Sequence, residues 1–145
     1  MVTTHVGVFD TTLQKTHHWL DEISAEMDWE NHEKGYVALR AVLHALRDRL
    51  PPNEAVHLAA ELPMLVRGFY FEGWHPANKP LRYRHKDEFL AQVARDAPAI
   101  GTQELERTIT TVFRCLSREM PGGEVEQARS ALPAELRELW TEGDN

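Results

Sequence analysis

Apolar residues recur every three or four positions along almost the whole chain, and prolines or polar turns break the pattern at intervals. Leu13, Leu20, Ile23 and Met27 share one helical face. Asp10, Thr11 and Thr12 precede that face as cap candidates, with Gln14 completing a capping box on Thr11, so the spacing predicts a first helix over 11–27. Asp28 is placed to cap a second helix carrying Tyr36, Leu39, Val42, Leu43, Leu46 and Leu50. That helix stops at Pro51-Pro52, because proline disfavours the helical conformation in the residue before it. Ala55, Leu58, Ala59 and Leu62 then share a face up to Pro63, which predicts two short helices meeting near Leu62-Pro63, or one helix kinked there, running to about Phe71. Further on, the pattern predicts helical segments over 87–97 and 102–120, a turn at Pro121-Gly122-Gly123, and a segment over 124–140 bent at Pro133. Apart from the short Leu81-Arg82-Tyr83-Arg84, no run shows the period-two alternation of a half-buried strand, so the fold class is all-α.

The same pattern is written twice. Residues 16–70 match residues 86–140 at a constant offset of 70, with Leu20/Leu90, Val42/Val112, Leu46/Leu116, Pro51/Pro121, Glu54/Glu124, Leu62/Leu132, Pro63/Pro133 and Arg67/Arg137 identical. Trp19/Phe89, Ile23/Val93, Leu39/Ile109, Leu50/Met120, Val66/Leu136 and Tyr70/Trp140 keep their apolar character. These matches fall on turn prolines and core-spaced positions, the mark of one supersecondary unit duplicated to cover its own hydrophobic face. The expected architecture is a single domain over 1–145: repeat one at 10–71, a linker at 72–86, and repeat two at 87–140, followed by a polar tail over 141–145. Two pseudo-symmetric units of about 55 residues should pack face to face as one bundle, since each alone has too little core to stand. Positions the halves share serve the scaffold, so chemistry is expected where they differ.

Charge changes this picture locally. The net charge of -7 divides into -4 for residues 1–71, +3 for 72–86 and -6 for 87–145. Two acidic halves disfavour general nucleic-acid binding and docking on an anionic membrane. The lone Cys115 lies at the position matching Ala45, reads as a small buried hydrophobe, and excludes a disulfide framework. Met1 to Asp10 contain no basic region or apolar run of signal-peptide length, and no 18-residue apolar stretch occurs, so a cytoplasmic protein is expected.

The segment Glu72 to Lys86 has no counterpart after the second repeat and holds two prolines, two aromatics, two histidines and four basic residues. It is longer and chemically richer than a helix connection requires. Two readings follow. In one, Trp74 and Tyr83 pin a crossover strap to the bundle. In the other, Lys79, Arg82, Arg84 and Lys86 face an acidic partner or anion, with Trp74 or Tyr83 as the anchor. The functional expectation is a non-enzymatic interaction module binding a protein partner or a second copy of itself. The alternative is a small-ligand or anion-binding protein with its site at the repeat junction and linker. Four basic side chains would neutralise only about four phosphates, so nucleic-acid binding through the linker is expected to be weak.

Catalytic and metal chemistry find little footing. Ser24, Ser117 and Ser130 lie in helical patterns without a nucleophile elbow, and no glycine-rich phosphate loop occurs. Glu54 and His57 form one E-x-x-H, but the matching pair is Glu124 with Gln127, so a bundle-type carboxylate metal centre lacks its second half. His17 and His18 sit on adjacent faces of a helix, and His44, matched by Arg114, reads as solvent-facing. Asp21, Glu22, Glu26, Asp28, Glu30 and Glu33 read as a solvated face. The sequence therefore predicts no enzyme, no cofactor and no metal site.

Phe9-Asp10, Trp19-Leu20, the run Ala38-Leu39-Arg40-Ala41-Val42-Leu43-His44-Ala45-Leu46-Arg47-Asp48-Arg49-Leu50, Leu62-Pro63, and Arg67-Gly68-Phe69-Tyr70-Phe71-Glu72-Gly73-Trp74 together resemble the bacterial family catalogued as domain of unknown function 2267. The A-L-R-x-V-L-x-x-L-R-D-R-L and Y-x-E-G-W signatures are specific, the family's linker lysine-proline is present as Lys79-Pro80, and the resemblance covers about residues 9–140. It implies a small, cytoplasmic, all-helical bacterial protein. It implies no reaction, cofactor or catalytic residue.

Overall fold

Proline placement sets the element boundaries in a computed structural model that describes residues 3–141; Met1, Val2 and the end of the expected polar tail lie outside it. The long α2 (His32–Arg49) ends where Leu50 turns extended before Pro51. Pro51 and Pro63 precede α3 (Pro52–Ala60) and α4 (Met64–Phe71), where proline's missing N–H belongs to the set that no intrahelical acceptor would satisfy. In the second half, α5 (Lys86–Asp96) is followed by a 3₁₀ turn (Thr102–Glu104) running into α6 (Leu105–Glu119), then α7 (Gly122–Ser130) and α8 (Ala134–Arg137). The described residues contain no strand, and Leu81 to Arg84 are irregular.

Two expectations about helix ends are corrected. The first helix, α1 (Gly7–Met27), begins four residues earlier than the capping box on Thr11 implies, because Thr4 organises the approach: its N–H and hydroxyl both donate to Asp10 Oδ1 at 2.8 Å. Asp28 does not cap α2. It terminates α1 in the left-handed conformation, φ 59°, and the cap of α2 is Asn31, whose side chain accepts from Lys34 N–H at 3.0 Å.

The helices cross between halves. The first helix α1 packs on α2 and also on α6; α5 packs chiefly on α2; α3 lies against α7, and α2 meets α6 at the centre. The whole stretch from Ala41 to Arg47 is consequently buried, and one continuous core runs from Trp19 and Ile23 through Leu39, Val42 and Leu46 to Phe113, Leu116 and Trp140. Phe113 and Trp140 stack at 4.6 Å with their planes 5° apart. Arg67 and Arg137 do the same task 70 residues apart: Arg67 Nη2 donates to the Leu62 carbonyl at 2.9 Å and Arg137 Nη1 to the Leu132 carbonyl at 2.5 Å, closing the turns before α4 and α8.

Candidate functional site

Between α1, α2 and α4 the structure leaves an apolar cleft of about 810 Å³. The first helix contributes Phe9, Leu13 and Leu20 at helical spacing, α2 contributes Tyr36, and α4 contributes Met64, Leu65 and Phe69. Phe9, Met64 and Leu65 are each more than two-fifths exposed. Tyr36 and Phe69 meet edge to face at 5.2 Å. The cleft is held open by a polar tie: Thr12 Oγ1 accepts from Leu65 N–H at 2.9 Å, anchoring the start of α4 on α1. One turn deeper, Thr16 also lines the cleft; it is 5% exposed and its hydroxyl has no hydrogen-bond partner. Thr4, His17 and Glu72 complete the rim, and Glu72 pairs with Arg40 at 3.2 Å.

The positions 70 further along the chain carry ions instead. Seventy residues beyond Tyr36, Leu65 and Thr16 stand Glu106, Glu135 and Lys86. Lys86 Nζ lies 3.5 Å from Glu106 Oε2, Lys86 N–H donates to Glu135 Oε1 at 2.9 Å, and His85 Nδ1 lies 3.2 Å from Glu135 Oε2. The hydrogen bonds from Lys86 and His85 hold the Glu135 carboxyl below its usual range, and Glu135 in turn raises His85.

The six linker residues singled out in the sequence stand in different settings. Trp74 and Tyr83 are half-buried against the core, Trp74 beside Phe71 at 5.4 Å. The strap is fastened along the end of α2: Leu81 N–H donates to the Asp48 carbonyl at 2.8 Å, and Arg49 Nε donates to the Tyr83 carbonyl at 2.7 Å. Burial pushes the Tyr83 hydroxyl well above its ordinary range. Lys86 belongs to α5 and is engaged by acids, Lys79 is half-buried in the turn before Pro80, and of the four cations Arg82 and Arg84 are the exposed ones.

Against known families, the chain matches the model described as an uncharacterised conserved protein, DUF2267, over residues 16–139. The chain belongs to the DUF2267 family. A comparison with curated proteins found no match.

Three further features of this DUF2267 chain depart from the expectations drawn from its sequence. His44 is buried, 6% exposed, and its Nε2–H donates to the carbonyl of Phe69 in α4 at 2.7 Å, whereas Arg114, the residue 70 positions on, pairs with Glu26 of α1. Glu22 and Glu26 are not a solvated face, because α6 lies on α1 and brings Arg118 to Glu22 at 2.6 Å and Arg114 to Glu26. His18 Nε2 sits 3.0 Å from both Glu22 Oε1 and Glu119 Oε2, a set of three donors within 4.8 Å that sequence spacing missed because Glu119 arrives from a helix about one hundred residues away. Burial and the neighbouring Glu119 raise the Glu22 carboxyl above its usual range. With Arg118 on one oxygen of Glu22 and His18 bridging to Glu119, this cluster is a salt-bridge network joining α1 to α6. Cys115 is buried and its thiol is pushed up by desolvation, matching the expected inert small hydrophobe. Among the described residues no helix is long and apolar enough to cross a membrane.

Proposed function

We propose that this DUF2267 protein is a non-catalytic binding module whose site is the apolar cleft between α1, α2 and α4. The observation that carries the reading is the contrast at positions 70 apart: Tyr36, Leu65 and Thr16 line a cleft, while Glu106, Glu135 and Lys86 carry ions instead. A scaffold needs neither arrangement in particular, so the one that leaves large apolar side chains in water is the one maintained for a ligand. Its volume of about 810 Å³ falls within the ordinary range for small-molecule sites, and its walls are aromatic and aliphatic with few polar groups. The proposal includes the duplication of one helical unit, which the offset of 70 between α3 (Pro52–Ala60) and α7 (Gly122–Ser130) supports. It also takes the protein to work in a bacterial cytoplasm, in keeping with the lone buried thiol.

The test is saturable binding of diphenylhexatriene, a hydrocarbon fluorophore dark in water. The wild type is expected to bind about one molecule. The Leu65→Glu variant, which installs the residue found at 135, is expected to lose binding while its melting temperature stays close to wild type, because Leu65 is 43% exposed. Equal binding by both proteins would overturn the reading.

A second reading retains the linker as a contact for an acidic protein partner or a second copy. It is supported by Arg82 and Arg84, which project from a strap otherwise fastened to α2. Neutralising both to glutamine should leave the fold intact and abolish any association measured at low salt.

A further inference from the structure

We infer that the cleft takes an uncharged amphiphile, an apolar body ending in one hydroxyl, carbonyl or amide, and that Thr16 is the residue that reads its polar end. The inference rests on the binding reading above and specifies the ligand. Thr16 is 5% exposed, lines the cleft, and has a hydroxyl with no partner. A buried hydroxyl is ordinarily paired, and an unpaired one favours any ligand that supplies a donor or acceptor. Its neighbour one turn away shows the contrast: Thr12 lines the same cleft but already accepts from Leu65 N–H at 2.9 Å, so its hydroxyl is structural. The position matching Thr16 is Lys86, whose ammonium group meets Glu106, so the second half has replaced a lone hydroxyl with an ion pair.

The surroundings decide the head's charge. Among the described residues no lysine or arginine lines the cleft, and the carboxylate at its rim, Glu72, is held by Arg40 at 3.2 Å. A carboxylate or phosphate head would lose its hydration at Thr16 without gaining a cation, and the acidic balance of this half opposes it further. His17 lines the rim but is exposed, with its ring edge-on to His32 at 6.2 Å. A cationic head would likewise lose its hydration beside a neutral hydroxyl, and the one acid lining the cleft among the described residues is already paired. One neutral hydrogen-bonding group on an apolar body is the chemistry that satisfies Thr16 and leaves the walls dry.

The experiment competes decanol and decanoate, which share a chain and differ in head charge, against bound diphenylhexatriene. Decanol is expected to displace the fluorophore from wild type at a concentration at least tenfold lower than decanoate does. In the Thr16→Val variant, which keeps the shape and removes the hydroxyl, decanol is expected to weaken roughly fivefold relative to that variant's own affinity for the hydrocarbon fluorophore. Thr16→Ser should keep most of the decanol affinity. If the fluorophore binds and is lost in Leu65→Glu, yet decanoate competes as well as decanol or Thr16→Val leaves decanol unaffected, the head-group assignment is overturned and the cleft stands. If the fluorophore does not bind, or Leu65→Glu binds it equally, the binding reading itself has failed. If sedimentation shows a wild-type dimer that the fluorophore dissociates and Leu65→Glu makes monomeric, the cleft is an interface between copies and both are overturned.

Discussion

His44 shows how far one side chain's chemistry depends on what covers it. Burial lowers its imidazole pKa, Arg47 and Arg40 add to that, and the hydrogen bond to the Phe69 carbonyl only partly offsets them. The folded protein therefore resists a proton that the unfolded chain accepts near 6.5. The stability from neutral His44 is complete above that pH and is lost as pH falls below it. Thermal melts at pH 7.5 and 5.5 should show a lower midpoint at the acid value, and His44→Gln should flatten the difference. His85, raised by Glu135, acts in the opposite sense, contributing below 6.5 and fading as pH rises, but it is fully exposed and screened by solvent. The sequence misplaced His44 because Arg114, 70 positions on, is an ion paired with Glu26, and nothing in the local pattern says that α4 brings the Phe69 carbonyl onto His44. Cys115, by contrast, was legible, since its position on the apolar face of α6 is set by helical spacing alone.

At the level of elements, turn prolines and paired arginines govern where helices stop. Arg67 Nε donates to the Ala59 carbonyl at 2.9 Å and Nη2 to the Leu62 carbonyl at 2.9 Å, closing the end of α3 and the step into α4. Arg67→Met should cost about 1–3 kcal/mol in denaturant unfolding, because carbonyls shielded from water lose their donor. Arg67→Lys should recover little, since one ammonium group cannot reproduce a planar fork. These boundaries were readable because Pro51, Pro63, Pro121 and Pro133 act through covalent geometry. The start of α1 was not readable, since it depends on Thr4 folding back on Asp10. The cleft escaped sequence reading for a related reason. Phe9, Leu13, Met64 and Leu65 look like any core stripe until the packing of α4 on α1 decides which of them water reaches. The linker's aromatic and basic residues drew notice first because composition is local, and the structure distributes them between the core, a strap and the surface.

Across the whole molecule, neither half closes on itself. The first helix lies on α6, α5 lies on α2, and α3 meets α7, so each half supplies walls for the other's core. Cutting the strap between Ala77 and Asn78, both exposed, should yield two fragments that are poorly folded apart. Mixed in equal amounts they should regain helical circular dichroism and a single cooperative melt. Two fragments that each melt cooperatively alone would contradict the shared core. The salt-bridge network of His18, Glu22, Arg118 and Glu119 sits on the same seam and was invisible to spacing rules, since its members lie about one hundred residues apart in the chain. The crossing of α1 onto α6 also bears on biosynthesis. During translation α1 is finished long before Leu105, the first residue of α6, has been made. Until then its buried stripe of Trp19, Ile23 and Met27 lacks part of its permanent cover, and such transiently exposed apolar surface is prone to aggregate. Folding of the bundle thus waits on the synthesis of α6, and a ribosome stalled before it would present a sticky, unfinished surface to the cell's chaperones.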